Sequence, residues 1–359
     1  MAVSTKRNAL IELYRFVFAF MVVMVHSHGF NPPQNYPFKG GYVAVEFFLI
    51  IAGYYITKSC INSEENIGAG KFAVRYTFSR YLKWLPTILV VCLIHYVYMY
   101  FFAVKEPKNI FYMVYEIMLL PQSGIYKTFE ILPLWYLSAF LICVPIIAYL
   151  LKKKSDFFYN IGTIIIPLLI YGYICRTNAD LDTWNDYTVV YSGVLRAFAG
   201  LCMGVNCYKL SKALSPIYSA HKKLLNILSV VVMLFVIAYT YFFSFTYADY
   251  FLCFAGMCSL AVVMNMPVQT EKTAPHIYIY IQKLFCLLGR FSFPLYCSHW
   301  TVRAALRTIY PDINYWDALP IYLILSAAYA LVVMLASGLI KRAFTSFSRR
   351  RKMVWSKNA

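Results

Sequence analysis

Arg15 and His26 stand eleven residues apart in one apolar stretch. A helix advances 100° per residue, so eleven residues return the side chains to within about 20° of one face, roughly 16 Å apart along the axis. An imidazole and a guanidinium on one face of a hydrocarbon-buried helix are costly, and such groups mark functional sites. The chemistry they suit is proton transfer by the imidazole, which titrates near neutral pH. Glu12, three residues before Arg15, is spaced to pair with it. His28 is rotated about 200° from His26 by the same geometry and is expected to face elsewhere. Glu46 lies just inside the next apolar stretch. A hairpin of the two stretches would set it at the depth of His26, where a carboxylate would fix the ring's tautomer and support it as a general base. A bland alternative stays open: a lone intramembrane histidine is often a hydrogen-bonded packing residue, and Arg15 is placed to snorkel.

Further ionisable residues interrupt apolar sequence, among them His95, Arg196, Arg290 and His299. Arg196, in YSGVLRAFAGLCMG, is too deep for easy snorkelling and needs a partner. The small residues around it, Ala197, Ala199, Gly200 and Gly204, permit close helix packing. Arg80 and Lys83 anchor topology at the entrance to an apolar run; clustered cations of this kind also bind phosphates. Trp135, Ser138 and His299 fall near the ends of their apolar runs, on the side of His26, although a tryptophan there also fits an interface belt.

These residues must be held by membrane helices. The chain of 359 residues is 61% hydrophobic and 13% charged, with a mean hydropathy of +0.60. Soluble proteins run nearer half apolar and a quarter charged. Each crossing of a ~30 Å hydrocarbon core takes ~20 apolar residues. The sequence reads as an all-α polytopic membrane protein with about ten transmembrane helices. The expected spans are 10–30, 41–61, 84–104, 131–151, 157–175, 188–208, 224–245, 250–267, 284–306 and 319–340. The segment 109–121 is apolar but too short to cross. Asn31–Lys39 is a loop, because its paired prolines cannot continue a helix.

With the N-terminus inside, 25 of the 33 Lys and Arg fall on the cytoplasmic side. Lys39, Lys105, Lys108, Lys127, Arg176, Arg303 and Arg307 fall outside, and Arg196 lies in mid-span. The positive-inside rule therefore puts both termini in the cytoplasm, at a cell (plasma or inner) membrane. The first apolar run lacks a small-residue cleavage site and reads as a retained span. The net charge of +18 belongs to this topology and to anionic headgroups or an anionic soluble ligand, and nucleic acid is not an expected partner. The ten cysteines sit mostly in apolar runs without C-x-x-C or metal-ligand spacing, so neither a disulfide framework nor a metal is expected.

In this arrangement the sequence resembles acyltransferase family 3, membrane proteins that O-acylate surface glycans, lipids and related acceptors. Arg15-x10-His26 is similar to that family's motif on its first span. GYVAVEFFLIIAGYYI (41–56) is similar to its second span, with Glu46 at the acidic position. RYLKWLP (80–86) resembles its basic motif, with Lys83 in place of a second arginine. LWYLSAF (134–140) resembles its tryptophan segment, with Ala139 and Phe140 replacing Val-Glu. RAFAGLCMG and GRFSFPLYCSHW (289–300) are similar to its later motifs, the last with His299 at the histidine.

The resemblance implies a transmembrane acyltransferase domain over 1–345 and a basic cytoplasmic tail over 346–359. It also implies acyl-CoA, most often acetyl-CoA, as donor, and a hydroxyl on a surface glycan or glycolipid as acceptor. Arg80, Lys83, Arg75 and Arg15 would hold the CoA phosphates, with Arg196 along the path of its arm. His26 would be the general base, with an acyl-His relay as the covalent alternative, and Glu46 would orient it. Trp135, Ser138 and His299 would shape the acceptor site. A transporter or flippase for a glycan or lipid intermediate is the rival reading, because polar residues at mid-depth suit that too.

Overall fold

The structure is a computed structural model that describes residues 7–357, apart from 65, 103–109, 126–129, 179, 185, 187–188, 245–246 and 268–275; for 110 and 345–357 it describes the backbone alone. Lys105, Lys108 and Lys127, Asn109 and the expected span ends Val104, Thr188 and Phe245 lie outside the described residues.

The described residues form eleven α-helices: α1 (Ala9–Val25), α2 (Ala44–Ile61), α3 (Ala69–Phe102), α4 (Ile110–Ile117), α5 (Leu134–Lys152), α6 (Thr163–Asn178), α7 (Ser192–Ala220), α8 (Lys222–Phe242), α9 (Ala248–Val263), α10 (His276–Ile309) and α11 (Tyr315–Lys357). Seven of these, α1 with its 3₁₀ extension to Phe30, α2 with its leading turn from Gly41, α3, α5, α6 with its preceding turn, α8 and α11, are long and apolar enough to cross a membrane. Helix α9 is apolar but 16 residues long. Helices α7 and α10 are less apolar, and they carry Arg196 and His299. The protein is an all-α, multi-pass membrane protein with about ten transmembrane helices, and α4 is the short element that does not cross.

The helices extend beyond several expected spans. Helix α3 begins at Ala69 rather than near Trp84, so its 34 residues reach about 50 Å, well beyond the hydrocarbon. Lys71, Arg75, Arg80 and Lys83 lie on this early portion. Helix α11 continues to Lys357 without a break at 345. The end of the bundle that gathers most Lys and Arg is called the basic end below.

Local sequence sets the helix starts. Asn8 caps α1, its Oδ1 accepting from the backbone N–H of Leu10 at 3.1 Å and Ile11 at 3.3 Å. Its Nδ2 donates to Val263 O at 2.8 Å and ties α1 to the end of α9. At the far end Glu116 on α4 accepts from the N–H of Glu130 and Ile131 at 2.6 and 2.8 Å, fixing the approach to α5.

The centre of the bundle is α2 and α5, whose apolar windows are each 67% buried, against 22% for α8 and α11 at the periphery. The most extensive helix pair is α2 with α7. Glycines make it possible: a Cβ on Gly204 would lie 2.6 Å from Gly53 Cα and would collide with Ile50 O, and one on Gly53 would collide with Leu201 O. Where these helices touch, Arg196 Nε of α7 donates to Glu46 Oε1 of α2 at 2.9 Å, with the two side chains 1% and 0% exposed.

Two outcomes are expected. Gly204→Leu should separate α2 from α7 at a cost on the order of 3 kcal/mol or more, read as loss of monodisperse protein in gel filtration. Gly338→Leu, which meets open space, should leave the elution profile unchanged. Glu46→Ala should leave Arg196 buried without its counter-charge and destabilise by about 3–5 kcal/mol. A thermal midpoint in detergent that does not fall would show that the pair does not hold these helices together.

Candidate active site

Helix α1 stops at Val25, and the chain tightens into a 3₁₀ turn over His26–Phe30 before Asn31 enters the left-handed region at φ 52°. The two prolines that follow forbid continuation. His26 thus caps the C-terminus of α1. Its Nδ1 is 2.8 Å from Val22 O and 3.1 Å from Nε2 of His299 on α10. A carbonyl oxygen can only accept, so Nδ1 of His26 carries the proton. His299 Nδ1 faces Leu295 O at 3.2 Å and is protonated for the same reason, leaving its Nε2 to share the His26 N–H. Nε2 of His26 then holds a lone pair, and the ring is fixed by main-chain carbonyls and a second histidine. Trp300 stands edge-on to it, ring centroids 5.4 Å apart.

His26 lines a cavity of 290 Å³ at the far end, together with His28, Tyr36, Tyr42, Trp135, Asp182, Trp184, Arg196 and Tyr296. Arg196 lies over the Trp135 ring, its Cζ 5.2 Å from the centroid. It donates to Thr183 O at 3.0 Å and Tyr42 O at 3.4 Å as well as to Glu46. The cavity thus holds an imidazole with a free nitrogen, a permanent cation and two tryptophans stacked at 6.5 Å.

A second cavity, of 440 Å³, opens at the basic end. Arg7, Arg15, Lys58 and Arg80 line it, with Glu12 the one carboxylate among its lining residues. Glu12 sits between Arg7 and Arg15, 3.3 Å from each, so the spacing on α1 does form the expected pair. Arg80 is steadied by Tyr76, whose hydroxyl accepts from Nη2 at 2.8 Å and whose ring lies 4.8 Å from Cζ. The aromatic rings of Tyr55, Trp84 and Tyr136 complete the walls.

Several expected placements differ. Glu46 does not contact His26: Arg196 takes Oε1 and the Tyr171 hydroxyl donates to Oε2 at 2.7 Å. The partner of His26 is His299, which is fully buried behind it rather than facing the cavity. His28 does line the cavity, because the turn after Val25 is 3₁₀ and the α-helical angle no longer applies. Arg196 belongs to the far cavity rather than to the cationic one. Arg75 and Lys83 are exposed and are not among the residues that line the basic cavity. Ser138 is fully buried, its Oγ accepting from the N–H of Gln122 at 2.9 Å, and it braces the wall instead of lining it.

Sequence reasoning missed Arg7 and Lys58 in the basic cavity. Lys58 was within reach, since Phe48, Ile51, Ala52, Tyr55 and Lys58 form one helical stripe that lines it. Behind the far cavity's wall, Gln122 is 4% exposed, its side-chain amide has no hydrogen-bond partner among the described residues, and it abuts Gly193 beside Trp135. Among the described residues no group of three metal-ligating side chains occurs.

A base with a free nitrogen near one end and a cluster of cations at the other suit transfer of a group from a polyanionic carrier to a hydroxyl. No curated protein and no solved structure matches the chain. The sequence profile described as an acyltransferase domain matches residues 8–339, which span α1 to most of α11 and include every residue lining the two cavities except Arg7; the chain belongs to acyltransferase family 3.

Proposed function

We propose that this membrane-bound acyltransferase takes an acyl group, most simply acetyl, from cytoplasmic acyl-CoA and places it on a hydroxyl of a glycan or glycolipid at the far face of the cell membrane. The observation that carries the reading is the position of His26: its free Nε2 belongs to a residue that lines one cavity with Arg196, while four cations line another at the opposite end of the same helices.

The 3′-phospho-ADP moiety of CoA is the polyanion that Arg7, Arg15, Lys58 and Arg80 suit, and the rings of Tyr55 and Trp84 suit its adenine. In the far cavity Nε2 of His26 takes the proton of the acceptor hydroxyl. The oxygen attacks the thioester carbonyl, an O–acyl bond forms and the S–acyl bond breaks. The imidazolium returns its proton to the departing sulfur, giving free CoA thiol and the O-acyl product. Arg196 supplies fixed positive charge for the carbonyl oxygen as it becomes negative. His299 positions the His26 ring. Trp135 and Trp184 suit stacking on a sugar ring. Export of a glycan intermediate, the rival reading, is disfavoured by membership of an acyltransferase family.

His26→Ala should lower transfer of labelled acetyl from acetyl-CoA to host-envelope glycans by at least ~100-fold in liposomes, the usual scale for a positioned base. Full activity in that variant would end the base assignment. Arg15→Ala and Arg80→Ala should raise KM for acetyl-CoA roughly tenfold with a smaller change in kcat, because each removes one charge-assisted contact. Arg75→Ala and Lys83→Ala should stay within about twofold of wild type, since neither lines the cavity. The reverse pattern in steady-state kinetics would move the phosphate site out of the basic cavity.

A further inference from the structure

The two cavities share no lining residue, and their walls come close to each other on α2, α5 and α10. On α2, Val45 lines the far cavity and Phe48 the basic one, three residues and about 4.5 Å of helix rise apart. On α5, the consecutive residues Trp135 and Tyr136 face opposite cavities. Tyr296 of α10 lines the far side. The rings of Phe48, Tyr136 and Tyr296 meet here, with centroids 6.2 Å (Phe48–Tyr136), 6.2 Å (Phe48–Tyr296) and 5.9 Å (Tyr136–Tyr296) apart.

From this we infer that Phe48, Tyr136 and Tyr296 form the slot that receives the acyl-thioester arm of the donor and that closes the protein to small solutes when the arm is withdrawn. The inference rests on the proposed donor and acceptor ends. Its physical basis is the chemistry of the partition. Three rings from three helices present flat apolar faces and edges, which suit a linear, uncharged chain of methylenes, amides and a thioester. They offer no compensation to a phosphate or a hydrated ion, whose transfer into an apolar layer is costly. Tyr296 is anchored, its hydroxyl donating to Pro133 O at 2.8 Å. Phe48 and Tyr136 have no such tether among the described hydrogen bonds, so they are the rings that swing aside. The nucleotide stays in the basic cavity, while the acyl carbon reaches the depth of His26.

The test uses the whole protein in liposomes with two readouts. Pyranine trapped inside reports proton entry after the external pH is lowered. Wild type and Tyr136→Phe, which keeps the ring, should leak within twofold of protein-free vesicles; Phe48→Ala and Tyr136→Ala should leak at least tenfold faster. Labelled acetyl-CoA with host-envelope glycans reports transfer. Tyr296→Trp, which thickens the partition without lining the basic cavity, should slow transfer at least tenfold and shift CoA affinity by titration calorimetry less than twofold. Each variant is compared as monodisperse protein. Tight vesicles with both alanine variants, together with wild-type transfer by Tyr296→Trp, would overturn the slot. If wild type neither binds acetyl-CoA nor transfers its label, the proposed function fails, and the proton leak alone then decides whether the three rings seal the protein.

Discussion

A guanidinium and a carboxylate meet 2.9 Å apart in the bundle, 1% and 0% exposed. Hydrocarbon offers neither charge a substitute for water, so each is tolerable only while the other stays in place. That demand organises the surrounding structure. Arg196 also donates to carbonyls of Thr183 and Tyr42, and Tyr171 donates to the remaining oxygen of Glu46. Helices α2, α6 and α7 and the main chain at Thr183 are thereby gathered around one point. The glycines belong to the same device, since a Cβ on Gly200 would lie 2.8 Å from Glu46 Oε2. Close approach of α7 to α2 and burial of the ion pair are one requirement seen from two sides.

The parts of the fold legible in the sequence are those set by local chemistry. A hydrocarbon core imposes length and apolarity on each crossing, and α2 with its leading turn spans the residues 41–61 that hydropathy indicates. Helix periodicity placed Glu12 against Arg15 correctly. The same periodicity misplaced His28, because it assumes α geometry beyond the residue where α1 tightens. It also missed the early start of α3, whose basic first turns are helical although they lie beyond any apolar window.

Long-range pairings were not legible, and the reason is physical. His26 meets His299 across 273 residues, and Glu46 meets Arg196 across 150. A hairpin argument compares depth alone, and depth does not give the rotation of α2 about its axis. Glu46 sits at a plausible level but on the face toward α7, while α1 turns its His26 toward α10. The glycines of α2 and α7 carry the missing information, because small residues mark the face along which two membrane helices can close.

The separation of charge between the cavities bears on how the proposed reaction ends. Four cations and one carboxylate at the basic end favour a polyanionic carrier and hold it there after the acyl group has gone. At the far end, Arg196, paired with Glu46, and a protonated His26 would line one small cavity together with the carboxylate of Asp182. Among the described hydrogen bonds His26 has no carboxylate partner; its ring is held by Val22 O and His299. In the proposed reaction, an imidazolium without a paired carboxylate would hold its proton less tightly and return it more readily to the departing sulfur. An orienting carboxylate would stabilise that imidazolium; in its absence the proposed proton cycle would close inside the site. On that reading the commitment of Glu46 to Arg196 would serve the turnover of the base as well as the packing of the helices.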